Sequence, residues 1–276
     1  MKNLILSSAL VLIASSAAQA QQAVQWKVSD GGNGHWYAAV NVPSTISWQD
    51  SSSLAALHGG YLATMSSPAE ETVVWSVAQA PELWTGRIGP WFGLFQAAGS
   101  AEPSGGWAWV TGEPLTWANW QPGAPDNCTS CCSGSEESAG HFFNGYATPG
   151  PVRYWNDLPP EVPCAAIYPM PVGLLIEWSA DCNKDGMVDY GQLLQGDLLD
   201  LDRNHIPDCC EEAIPCDPCP GDVTDGGTVD ATDLSIILAT WGTDGLGEFD
   251  SDADNNGIVD GGDLALVLSG WGPCKP

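Results

Sequence analysis

Two sets of oxygen-bearing side chains hold the chemistry open to this sequence. The first gathers Asp126, Asn127, Glu136 and Glu137 with Asn156 and Asp157. All are hard donors of the kind Ca2+ takes, roughly 6–8 oxygens at about 2.3–2.6 Å. Asp126, Glu136, Asn156 and Asp157 are the expected metal ligands, and Asn127 completes the expected ligand-binding set. The second set recurs four times between residues 181 and 263. Asp181, Asn183, Asp185 and Asp189 stand at positions 1, 3, 5 and 9 of a loop, with the Met187 carbonyl at position 7. Asp200, Asp202, Asn204, Ile206 (carbonyl), Asp208 and Glu211 repeat the spacing through position 12. Asp222, Thr224, Thr228 (carbonyl), Asp230 and Asp233 form a third copy, and Asp252, Asp254, Asn256, Ile258 (carbonyl), Asp260 and Asp263 a fourth. This is the spacing of the EF-hand calcium loop, and without a cation so many carboxylates would repel one another. Ca2+ is the expected cofactor of both sets.

Other chemistry is poorly served. The four histidines, His35, His58, His141 and His205, are scattered, and no HExxH, GxSxG or phosphate-loop pattern occurs. Glu136 and Glu137 are adjacent, which does not set two carboxyls on opposite sides of one glycosidic bond. No enzyme activity is expected. With 34 acidic against 7 basic residues, a net charge of −27, neither nucleic acid nor an anionic lipid surface is an expected partner.

The elements that must position these oxygens fall into a recognisable order. Residues 1–20 read as a secretory leader, with Lys2, an apolar run and the Ala18-Gln19-Ala20 cleavage pattern, so the chain is expected to be secreted, extracellular or on the cell surface. No later apolar run reaches membrane-spanning length. Residues 181–276 hold 21 of the acids and residues 21–180 hold 12 of the 14 tryptophans, which marks a boundary near residue 180. The predicted organisation is a domain over 21–180, calcium-loop linker repeats over 181–220 and a compact module over 221–276.

In the first domain Ser47 can cap a helix ended by Gly59-Gly60. Ser67-Pro68-Ala69-Glu70 combines a cap, a first-position proline and a capping-box Glu for a second helix. Extended pieces are predicted at 34–40, 61–64, 91–94, 107–110, 153–157 and 173–178, with a long loop after Trp109. Trp48, Trp75, Trp91, Trp109 and Trp178 fit buried faces, while Trp117 and Trp120 fit loop packing. Ten cysteines in an exported chain favour disulfides, although Cys128/Cys131 and Cys216/Cys219 also have zinc spacing.

Trp91-Phe92-Gly93-Leu94, Ala124-Pro125-Asp126, Glu136 and Trp155-Asn156-Asp157 resemble, in that order, the core strand, loop triplet, acidic residue and closing strand of the C-type lectin-like family. The resemblance covers Val24 to Trp178. It implies an α+β fold with two helices, antiparallel strands and a long loop. It also implies one Ca2+ held by Asp126, Glu136, Asn156 and Asp157, whose free positions accept vicinal sugar hydroxyls. Asp126 matches the third position of the family's galactose-type triplet, whereas Ala124 removes one ligand and one sugar partner. Ser138 and Ile176 stand where the family's usual cysteines would be. Cys164, with Cys128, Cys131 or Cys132, could supply a substitute bridge.

The third and fourth loops are each followed by an apolar helix ending in Trp-Gly, with Asp at position 12, and resemble dockerin modules. The likeness implies a small, calcium-stapled helical module and a cohesin-like partner for residues 221–276. Dockerin recognition positions 10 and 11 are Ala231-Thr232 and Gly261-Gly262 here. Two functions compete: recognition of an extracellular glycan by a domain tethered through its tail, or adhesion by a lectin fold that binds protein.

Overall fold

The computed structural model describes residues 19–20, 22–132, 134–145, 152–161, 169–211, 216, 219–224, 226–247, 249–254 and 256–274. Residues 1–18 of the expected leader and Cys164 lie outside them. The chain divides into two compact units. One takes in residues up to Asn33, Tyr37–Ala56 and Tyr61–Glu177; the other takes in Gly34–Trp36, Leu57–Gly60 and Trp178–Pro276. The predicted 181–220 linker and 221–276 module therefore belong to one unit.

The first unit is mixed α+β. Its strands are β1 (Gln19–Ala20), β2 (Val24–Gln25), β3 (Trp36–Asn41), β4 (Tyr61–Leu62), β5 (Ile88–Gln96), β6 (Trp107–Trp109), β7 (Ala139–Phe143), β8 (Tyr154–Leu158) and β9 (Gly173–Trp178). They join in the order β1-β3-β9-β5-β7-β8, with β2 on β3, β4 on β9 and β6 on β5. β1 with β3, β4 with β9, β5 with β6 and β7, and β7 with β8 are antiparallel, β5 with β9 is parallel, and a Cβ at Gly93 of β5 would strike the Leu62 carbonyl oxygen. Helix α1 (Trp48–Leu57) starts at Ser47, whose Oγ accepts the Asp50 N–H at 3.0 Å. Helix α2 (Pro68–Ala78) starts at Ser67, whose side chain accepts the Glu70 N–H. The Glu70 carboxylate reaches one residue further back than a capping box does, accepting from Ser66 N at 2.7 Å.

Strand β6 alternates as predicted, with Trp107 and Trp109 buried about a half-buried Ala108. Strand β7 was not legible from alternation, because all five of its residues are buried. Trp155 is the hub of the core: Phe92, Trp109, Trp117 and Trp120 ring it with centroids 5.1–6.0 Å away. Its indole N–H donates to Glu71 Oε1 at 2.9 Å, which satisfies a polar group that burial would otherwise strand. Of the tryptophans assigned to buried faces, Trp91, Trp109 and Trp178 are buried, whereas Trp48 and Trp75 are half-buried.

The second unit carries the four loops, and each leads into a helix: α3 (Asp189–Gln195), α4 (Asp208–Glu211), α5 (Ala231–Ala239) and α6 (Gly261–Ser269). Trp178 stacks on Tyr190 at 4.0 Å, and His205 packs edge-on to Tyr190. Helices α5 and α6 enclose a four-residue core of Val229, Ile237, Val259 and Val267. Strands β10 (Thr228–Val229) and β11 (Gly272–Pro273) pair beside it. So small a core needs other support, and the Cys219–Cys274 disulfide spans it. Cys128–Cys131, Cys182–Cys210 and Cys209–Cys216 are also bonded, as is Cys132. Both pairs with zinc spacing are thus committed to disulfides. No described helix is long and apolar enough to cross a membrane.

Candidate metal centre

Strand β8 delivers Asn156 and Asp157 opposite His141 and Gly140 of β7. The long loop folds back onto that strand, with Trp155 N donating to Asn119 O and Gln121 N to Trp155 O, each at 2.9 Å. Beyond the cis Ala124–Pro125 bond, Asp126 N and Asn127 N both donate to Asp157 Oδ2, at 3.1 and 2.9 Å. Asn127 turns the chain at φ 42°, a left-handed conformation that asparagine tolerates better than most residues. Its side-chain oxygen accepts the Glu137 N–H at 2.9 Å, so Asn127 staples the outgoing and returning arms of the loop.

Asp126, Glu137 and Asp157 offer carboxylate oxygens that all lie within 4.8 Å of one another. Here the structure departs from the sequence reading. Glu136 is exposed, and its neighbour Glu137 turns into the cluster. The physical reason is the Asn127–Glu137 staple, which fixes the direction of a segment whose successive side chains point to opposite sides. Asn156 borders the same small cavity, of about 30 Å³, together with Asp126 and Glu137. Its Oδ1 accepts from Gln121 Nε2 at 3.3 Å. The donor set fits Ca2+: Asp157 Oδ2 is taken up by two N–H groups, but Asp157 Oδ1 accepts only that of Asp126 and Glu137 Oε2 only that of Cys128, so each keeps a lone pair for a metal.

Electrostatics point the same way. Burial pushes the Glu137 carboxyl up to about 7, opposed by the Cys128 N–H and reinforced by Asp157 and Asp126. Burial likewise raises Asp157 to about 6, although three backbone N–H groups favour its charged form. Three close carboxylates are stable together only if protonated or neutralised, and a divalent cation does the latter.

The four loops share one backbone pattern. In each, the Asp at position 1 accepts the N–H groups of positions 5 and 6: Asp181 from Asp185 and Gly186, Asp200 from Asn204 and His205, Asp222 from Gly226 and Gly227, and Asp252 from Asn256 and Gly257. They close differently. In the first two, the position-9 carboxylates Asp189 and Asp208 turn inward and accept the N–H of position 2. In the last two, the position-12 carboxylates Asp233 and Asp263 are fully buried and accept the N–H of position 3. Asp230 and Asp260 cap α5 and α6. Glu211 accepts from the Asn204 amide at 2.8 Å. Gln192, at position 12 of the first loop, is buried and donates to Asp185 at 2.6 Å; the sequence reading did not name it. Gly262 is explained too, since a Cβ there would run into Asp254 Oδ2.

No protein-family profile matches the chain. It is 28% identical over 116 residues to human C-type lectin domain family 10 member A, covering 41% of this chain and 30% of that protein. It is 30% identical over 92 residues to the secretory phospholipase A2 receptor of Oryctolagus cuniculus, covering 33% of this chain and 6% of the receptor. The chain thus spans well under two thirds of these relatives. The solved mouse scavenger receptor C-type lectin carbohydrate-recognition domain is similar at 19% identity, over 54% of this chain and 94% of its own, with a TM-score of 0.38. One of the sequence relatives is named for the C-type lectin domain that the sequence resembles.

Proposed function

We propose that this is an exported, calcium-binding recognition protein. Its lectin-like domain binds an extracellular glycan through a Ca2+ ion held by Asp126, Glu137 and Asp157, with Asn156 at the rim. Calcium stiffens the four loops of the second unit, and the dockerin-like pair over 221–276 attaches the protein to a scaffold or surface, with a cohesin-like domain as the partner class. The observation that carries this reading is the cluster of three carboxylates, buried Glu137 and Asp157 and exposed Asp126, whose oxygens lie within 4.8 Å of one another. The ion would supply coordination positions for paired hydroxyls, while the chain fixes the carboxylates and excludes water on the core side.

The test is retention of the full-length protein on an immobilised glycan panel, with calcium and with chelator. Calcium-dependent retention, lost in Asp157→Ala, is expected; retention indifferent to both would remove the sugar mechanism. Ala124, which brings no side-chain oxygen to the loop, favours the second reading, adhesion to a protein. Under that reading no glycan is retained in a calcium-dependent way although calcium binds.

A further inference from the structure

Away from the carboxylate cluster, the first unit has an open cleft of about 770 Å³ lined by residues of α2, the long loop and the start of β8. Its side chains include Glu71, Trp75, Trp117, Asn119, Arg153 and Tyr154. Glu71 is only 2% exposed, and its Oε1 accepts from Asn119 Nδ2 and Trp155 Nε1, both at 2.9 Å. Arg153, one of only seven basic residues in the chain, places Nε 4.0 Å from Glu71 Oε2 and donates through Nη1 to Thr72 Oγ1 at 2.9 Å. Burial pushes the Glu71 carboxyl up, and Asn119, Trp155 and Arg153 draw it back.

We infer that this cleft is a second glycan site, which holds a neutral pyranose ring without calcium. The charges argue for neutrality. An anionic ligand would meet Glu71, and an ammonium would meet the Arg153 guanidinium, whereas a polyol suits both. Its hydroxyls can accept from the guanidinium nitrogens that Thr72 leaves free, and Glu71 Oε2, which already accepts from Asn119 Nδ2 at 3.2 Å, has one lone pair left for a hydroxyl donor. The half-buried indoles of Trp75 and Trp117 and the ring of Tyr154, 40% exposed, supply apolar surface for the C–H face of a sugar. The volume lies within the usual range for small-ligand pockets, roughly 300–1,000 Å³. None of these residues belongs to the Asp126, Glu137 and Asp157 cluster, so the site stands or falls separately from the metal-dependent one.

The test is saturation-transfer NMR on the full-length protein with methyl glycosides of galactose, glucose, mannose and N-acetylglucosamine. It is run with calcium, with chelator, and on Asp157→Asn with calcium, which disables the front metal site while the tail keeps its ions. At least one glycoside is expected to show transfer that persists both in chelator and in Asp157→Asn. Arg153→Ala should weaken it by about tenfold or more, the lower end for a hydrogen bond to a charged group, and leave calcium-dependent column retention in place. Trp117→Ala should abolish transfer. Trp117 also packs on Trp155, so Arg153→Ala, at the solvent-exposed rim, decides the matter if that variant misfolds. No transfer from any glycoside, transfer lost in Asp157→Asn, or transfer unchanged in Arg153→Ala would overturn the assignment. Loss of calcium-dependent retention alone, with this transfer intact, would bear on the metal-dependent reading and not on the cleft.

Discussion

The main-chain N–H of Asn127 donates to Asp157 Oδ2 at 2.9 Å, tying the long loop to the strand that carries Asn156 and Asp157. Asp157 is thus a structural acceptor as well as an expected ligand. Asp157→Asn keeps one acceptor oxygen and should lose calcium while keeping the fold. Asp157→Ala should lose both and cost roughly 1.5–3 kcal/mol, the scale of one charged hydrogen bond. Denaturant unfolding of the two variants in chelator checks this; equal stability would show that the loop does not lean on Asp157.

The pH dependence has a definite sign. In the metal-free protein Glu137 titrates near about 7 and Asp157 near about 6, against ordinary values of 4.5 and 3.8. The folded state therefore holds more protons than the unfolded chain between those limits. For these groups the metal-free protein loses stability as pH rises through that window and is most stable below it. Calcium must displace the same protons, so its stabilising effect should grow in the opposite direction. The gap in melting temperature between calcium-loaded and chelated protein should be wider near about pH 8 than near about pH 5. It should vary less with pH in Glu137→Gln; an unchanged pH trend in that variant would contradict the assignment.

In the second unit, closure by position 12 separates ligand from cap. Asp263→Ala should abolish calcium binding by the fourth loop and unfold α6, the same outcome expected of chelation. Asp260→Ala removes only a helix cap and should cost about 1 kcal/mol with calcium binding retained. Far-ultraviolet circular dichroism during a calcium titration of each variant distinguishes them. Matching losses in both would mean that the two aspartates act together on the ion.

Much of this was legible in the residues, for identifiable physical reasons. Ser47 and Ser67 announced both helices because capping is local chemistry, and alternation announced β6. The 91–94 strand was read from its likeness to the family's core strand, and the structure supplies the reason for its glycine, since a Cβ at Gly93 would strike the Leu62 carbonyl oxygen. Strand β7 was not readable, since a strand covered on both faces loses the period of two. The exchange of Glu136 for Glu137 was also hidden. It depends on a hydrogen bond from Glu137 to Asn127, ten residues away, which no local pattern encodes. The two loop closures escaped for a related reason. Positions 9 and 12 both carry aspartate in the later loops, and only the start of the following helix decides which one turns inward.

The central claim is that Glu137, with Asp126 and Asp157, holds a calcium ion at the front of the molecule. Equilibrium dialysis of the full chain against calcium tests it most directly, comparing wild type with Glu137→Gln and Glu136→Gln. Glu137→Gln should bind one fewer ion per chain, and Glu136→Gln should bind as many as wild type. Unchanged stoichiometry in Glu137→Gln, or loss of an ion in Glu136→Gln instead, would contradict the account.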